Sequence, residues 1–267
     1  MNLIACASTA AVMVCGLLTG CQTDHATEGS ISGWSGVVSD VRAQWDATSD
    51  IDLLTGAAVP LRAYLESRLI AQYTGDIDNA YTGFTQAVPV DEPSGPDISA
   101  WARRPPVDTP ATSPLVGNSR FLVQSIRSAG DAVVATVCNY IYGLAKAQGD
   151  SYTSLVGWSP DPGRGVVTMR VTLTNTDQSP PALPPQMGPA AAPSEDVFSG
   201  WQIVGFLTAS TGAVERDWPT FAEDRDRCVA NAPDPLQRRA NLLKGEHPRA
   251  DFPTLPPEPG WPGAPAD

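Results

Sequence analysis

Histidine, cysteine, aspartate and tyrosine are the side chains from which chemistry could be built in this 267-residue chain. The two histidines, His25 and His247, stand in polar or proline-rich segments near the two ends. Neither segment offers a rigid platform, which disfavours Ser–His and Cys–His nucleophilic pairs and His-rich metal sites. Gly33-Trp34-Ser35-Gly36 is one residue short of a strand–turn–helix serine motif. No phosphate-binding loop, CxxC, HExxH or SxxK pattern occurs. Asp50-Ile51-Asp52, Asp76-Ile77-Asp78 and Asp224-Arg225-Asp226 are Asp-x-Asp pairs, yet a calcium loop needs more oxygens at fixed spacing around a glycine turn. Acids at helix starts, where they oppose the helix dipole, are the simpler account. Carboxylates and tyrosines therefore remain as the acid–base candidates, and neither a cofactor nor a metal is expected.

The strongest motif is not catalytic. An uncharged, mostly apolar leader ends in Leu18-Thr19-Gly20-Cys21 and opens onto a polar run from Gln22 to Ser30. This arrangement resembles the lipobox of bacterial lipoprotein precursors. The resemblance implies a signal peptide over residues 1–20, and diacylglycerol (with palmitate-type acyl chains) on the Cys21 thiol. It implies localisation at the cell membrane, lipid-anchored on its extracytoplasmic face. The alternatives are a plain secretion signal or a single membrane span. The apolar stretch 3–18 is shorter than the roughly 20 residues of a span, and Gly16-Leu17-Leu18 is a poor small-x-small cleavage site.

Once Cys6 and Cys15 leave with the leader and Cys21 is lipidated, Cys138 and Cys228 remain. In an exported protein that pair reads as one disulfide; two separate buried thiols are the alternative. A bridge closing a loop of nearly 100 residues is worth up to about 4 to 5 kcal/mol in chain entropy. No histidine lies near either cysteine to activate it, which argues against a catalytic thiol. The lipobox, the single Cys pair and a proline-rich tail together resemble the lipoproteins of actinobacteria.

The net charge of −12, with no Lys or Arg run beyond Arg103-Arg104 and Arg238-Arg239, makes nucleic acid a poor partner. Membrane attachment would come from the lipid anchor. Hydrophobic content of 42% suffices for a real core.

Proline, concentrated in 89–114, 180–193 and 248–265, marks loops and tail. After a polar tether over 21–33, three stretches show helical spacing. Trp34, Val37, Val38, Val41 and Trp45 form the first; Leu61, Leu65, Leu69 and Tyr73 the second; Ile77, Ala80, Tyr81, Phe84 and Val88 the third, with Asp76 as its cap. The period then becomes two. Residues 119–143 read as a β-hairpin around Ala129-Gly130-Asp131, and 166–175 and 198–207 as further strands. A last helix is expected over 218–230, stapled by the disulfide to the hairpin's second strand. Residues 233–267 are expected to be a flexible tail unable to build a core.

Helices followed by antiparallel strands make the fold class α+β: N-terminal helices packed on a curved antiparallel sheet, a cone-like single domain over 34–232 with a C-terminal helix and long proline-rich loops. The hairpin 121–142 and the late strand opening Gly200-Trp201-Gln202 resemble the nuclear-transport-factor-2-like superfamily. Enzymes of that superfamily often place an Asp or Tyr in the cone's pocket. The resemblance therefore implies that Tyr64, Asp76, Tyr81, Tyr140 and Tyr142 could line one here, with Trp158, Trp201 or Trp218 at its mouth. Core tyrosines that hydrogen-bond backbone account for these residues equally well, and that reading is preferred. The expected role is a non-enzymatic, membrane-anchored accessory module that binds a small apolar ligand or an envelope protein. A cone-fold lyase, isomerase or hydrolase using Asp and Tyr is one alternative, and a protein–protein scaffold the other.

Overall fold

The computed structural model describes residues 33–89, 98–175, 183–211 and 214–263. The leader, Cys21 and the rest of the tether lie outside them. Along the chain come β1 (Asp40–Ala47), α1 (Ala58–Thr74), α2 (Phe84–Ala87), α3 (Ile98–Ala102), β2 (Leu115–Ala129), β3 (Ala132–Tyr140), β4 (Leu144–Gln148), β5 (Ser151–Ser154), β6 (Val166–Asn175), β7 (Trp201–Leu207), α4 (Val214–Asp217), α5 (Phe221–Ala230) and α6 (Leu236–Leu242).

Alternation in β2 and β3 builds the centre of the sheet. Phe121 and Val123 point to the helix side, while Leu122 packs against the opposite cluster with Cys138. β3 pairs antiparallel with β2 and β6, and β7 follows on β6. A 3-10 turn at Ile141–Gly143 divides β3 from β4, and both lie on the edge of β2 away from β1. Gly117 makes that turn possible. It sits at φ 106°, and a Cβ there would fall 2.2 Å from the Gly143 carbonyl oxygen. Only glycine tolerates both the dihedral and the approach.

Helices pack on the curved sheet as the α+β reading expects. α1 crosses the inner face, where Leu61, Leu65, Leu69 and Ile70 join Val137, Val171, Leu173 and Phe206. Ala- and Leu-rich sequence favours this helix, and Gly75 ends it in the left-handed conformation. The outer face carries a second cluster in which Cys138 and Cys228 meet Tyr140, Tyr142, Leu242 and Phe252. The Cys138–Cys228 disulfide, with its Cα atoms 5.4 Å apart, ties α5 to β3.

Four expectations are corrected. The stripe Trp34–Trp45 is not a helix: its second half is β1, which pairs in parallel with β2. Val41, Ala43 and Trp45 are buried alternately, and the 41/45 spacing suits either period, while Gly36 at φ 57° opens only a single 3-10 turn, Gly36–Val38. The stripe 77–88 is broken by Gly83 at φ 88° into a 3-10 turn and the short α2. Asp76 does cap that turn, accepting from the Asp78 N–H at 2.9 Å. β4 and β5 were not foreseen, because Leu144–Gln148 and Ser151–Ser154 are too short for a clear pattern.

The fourth correction concerns the tail. Residues 233–263 contain α6 and then a strap that binds the domain. His247 exchanges both backbone hydrogen bonds with Tyr152 on the edge of β5. Glu258 bonds to Ala43 and Trp45 on the outer edge of β1. Phe252 is buried in the outer cluster and Trp261 in the inner one, so the strap rounds β1 from one face of the sheet to the other. Proline forbids regular ladders but not aromatic anchoring. Covering an edge strand also removes a site for unwanted pairing.

Candidate functional site

Two arrangements of side chains could carry function: a buried polar network and a cavity, both built on α1. Arg62 and Glu66 lie one helical turn apart and are 0% and 1% exposed. The Glu66 carboxylate accepts from Trp45 Nε1 at 2.7 Å, from the Tyr81 hydroxyl at 2.6 Å and from Trp261 Nε1 at 2.9 Å. Trp34 Nε1 in turn donates to the Tyr81 oxygen at 2.8 Å. Arg62 donates to the carbonyls of Leu53, Gln186, Pro259 and Gly260 and lies 4.2 Å from the centre of the Trp261 ring.

Burial raises the Glu66 carboxyl above its ordinary range, against the opposing pull of Arg62 and of its three donors. The Tyr81 hydroxyl is pushed far up, by burial first and then by Glu66. Displaced proton affinities of this kind often mark reactive sites. Here each group is closed in by its partners. The network ties the N-terminal segment, β1, the segment after α1 and the C-terminal strap onto one helix.

The cavity, about 270 Å³, opens between α1 and the sheet. Leu65, Arg68, Leu69, Gln72 and Tyr73 line it from the helix, and Phe121, Asn139, Val167, Met169 and Phe206 from the strands. Its floor is apolar. Its one charged side chain is Arg68. The Arg68 guanidinium lies 3.9 Å from the centre of the Phe206 ring, and its Nη1 donates to the carbonyls of Ala102 and Arg103. Asn139, also on the lining, accepts from Ser119 at its Oδ1. Burial raises Tyr73 to about 12, so its hydroxyl stays protonated and can donate.

A wider groove of about 580 Å³ runs between β1, β2 and the strap, with Asp46, Arg120, Tyr140 and Glu258 along it. Both of its carboxylates are exposed.

The residues singled out from the sequence do not share one pocket. Tyr64, on α1, is fully buried, donating to Arg103 O at 2.6 Å, with its hydroxyl raised to about 12 by burial. Tyr81 belongs to the Glu66 network. Asp76 is an exposed cap. Tyr140 and Tyr142 lie on the outer face, Tyr140 donating to Cys228 O at 3.1 Å. Burial, then the neighbouring Asp234 carboxylate, raises Tyr142.

Of the tryptophans, Trp201 is half-buried at the start of β7. Trp158 is exposed, and Trp218 is buried with its Nε1 on Asp224. His247, expected to have no rigid setting, is held by Asp251 at 3.0 Å and by Lys244 O at 2.9 Å. Both its ring nitrogens are thus occupied. Among the described residues no His, Cys, Asp and Glu side chains cluster as a metal site would require.

Arg62, Glu66, Arg68 and Asn139 were missed. Period counting assigns a charged residue beside an apolar stripe to solvent. The one available signal was the pairing of Arg62 and Glu66 at i, i+4, which is ordinary on exposed helices. Comparison with known protein families, curated proteins and solved structures found no match to this chain.

Proposed function

We propose that this protein is a lipoprotein anchored through Cys21 on the extracytoplasmic face of the membrane. In this reading it is a non-enzymatic accessory module whose domain holds a small, largely apolar ligand between α1 and the sheet. The observation that carries the reading is the cavity bounded by Leu65, Leu69, Phe121, Met169 and Phe206. Concave, mainly apolar sites with a few convergent polar groups are the usual form of a small-molecule site. The exported location is supported by the Cys138–Cys228 disulfide, a bond that persists in oxidising compartments. No helix of the described residues is long and apolar enough to cross a membrane, so attachment in this reading rests on the lipid.

Docking to an envelope protein is the second reading. It is favoured by Trp158 and Leu236, half exposed and lining one shallow surface hollow. Acid–base catalysis by Asp and Tyr finds less support, because Tyr64, Tyr81 and Tyr140 give their hydroxyl protons to fixed acceptors.

Native mass spectrometry of the protein, extracted gently from its own membrane, tests the choice. A stoichiometric small molecule beside the lipidated mass supports the ligand reading. A bare lipidated mass overturns it in favour of docking, and an unlipidated mass overturns the anchor.

A further inference from the structure

The geometry points to a more specific ligand for the cavity under α1: an organic monocarboxylate with a short apolar body, its head group taken by Arg68 and its body lying on Phe206, Met169 and Leu69. This inference rests on reading that cavity as a ligand site.

Three observations carry it. First, the lining carries charge of one sign. Arg68 is the one ionised side chain of the lining, beside the neutral polar groups of Gln72, Tyr73, Asn139, Thr208 and Ser210, and no Asp or Glu lines the space. In a chain of net charge −12, a cavity with a cation and no anion selects for negative charge. Second, among the described residues no carboxylate pairs with Arg68; Arg42, Arg104, Arg127 and Arg170 share that lack, but of these only Arg68 lines this cavity, whereas Arg120, Arg225, Arg227, Arg238 and Arg249 each have a carboxylate partner. The carbonyls of Ala102 and Arg103 orient the guanidinium without neutralising it. A half-buried guanidinium held in place yet left without a counter-ion is prepared for one. Third, size restricts the choice. About 270 Å³ falls just under the roughly 300–1,000 Å³ that drug-sized ligands occupy, so the apolar body is a short chain or a single ring.

The test compares hexanoate with hexanamide, equal in shape and different in charge, by calorimetry on the full chain in nanodiscs with empty nanodiscs subtracted. Hexanoate should bind at least about tenfold tighter than hexanamide, the usual margin for a charge-assisted hydrogen bond. Arg68→Met should bring that ratio close to one and leave hexanamide affinity within about threefold. Arg68→Lys should keep part of the preference. If Arg68→Met does not fold, the unmodified chain and Arg68→Lys still decide.

Equal binding of the two probes, or a preference that survives Arg68→Met, overturns the carboxylate inference and leaves the ligand site standing. Binding of neither probe at millimolar concentration also overturns it. The ligand reading itself is judged separately, by the molecule that does or does not accompany the native protein.

Discussion

Trp261 donates its indole N–H to Glu66 across 2.9 Å, joining residues 195 positions apart. The strap that carries Trp261 has already paired with β1 at Gln44 and Glu258 before it reaches α1. One indole thus closes the C-terminal strap over a buried carboxylate that also accepts from Trp45 and Tyr81.

That contact predicts a large effect from the end of the chain. Trp261→Ala removes a buried ring and one of three donors to Glu66, and should cost about 3 to 5 kcal/mol. Truncation after Pro235 also removes α6 and Phe252 and should lower the melting temperature by well over ten degrees. Thermal unfolding followed by circular dichroism checks both. An unchanged melting temperature would show the strap to be energetically idle.

Glu66 predicts a pH dependence whose sign can be worked out. Its carboxyl is raised in the folded state, so the folded protein binds this proton more tightly than the unfolded chain. The group's contribution is fully present below its unfolded value of about 4.5. It is lost as pH rises through the folded value. Glu66→Gln cannot titrate and should be less stable than the parent, with a deficit that shrinks from pH 4.5 to pH 7.5. Urea unfolding at the two pH values measures it, and a deficit growing with pH would contradict the assignment.

Breaking the disulfide should be costly, because it closes a long loop. Cys138 and Cys228 are both fully buried, so Cys138→Ser with Cys228→Ser should lose about 2 to 5 kcal/mol. Alkylation of the unreduced native protein should leave both positions unlabelled in the intact mass. Labelling at either would refute the bridge.

Cys21→Ala tests the anchor independently of the domain. The variant should leave the membrane fraction and appear in the soluble fraction with an unchanged melting temperature. Continued partitioning into detergent would end the lipoprotein proposal.

A final substitution probes the turn between β3 and β4. Gly117→Ala would put a methyl group against Gly143 O at a dihedral that disfavours side chains. It should destabilise by about 2 kcal/mol or more, read as a lower urea midpoint.

Much of the architecture was legible in the chain alone. Strong alternation in 119–143 and 166–175 marked β2, β3 and β6, because period two places every second side chain in the core whatever surrounds the strand. Leu61, Leu65, Leu69 and Tyr73 marked α1, and the parity of the cysteines marked the bridge. The lipobox reading of Cys21 rests on sequence alone, since it lies outside the described residues.

Tertiary structure decided the rest, wherever a residue's environment is made by segments distant in sequence. Val41 and Trp45 fit two periods, and parallel pairing with β2 chose the strand. Arg62 and Glu66 look like a solvent-exposed pair until Trp34, Tyr81 and Trp261 close over them. Proline composition reported correctly that residues 248–263 would hold no α-helix or strand, and they contain only a 3-10 turn at Arg249–Asp251. It was silent on whether Phe252 and Trp261 would find cores to enter. The cavity beside Arg68 has no sequence signature of its own, because its walls come from α1 and from four strands that meet only in the folded sheet. Local pattern determines which elements form. Burial, counter-charge and cavity shape belong to contacts between them, and those exist only after the chain has folded.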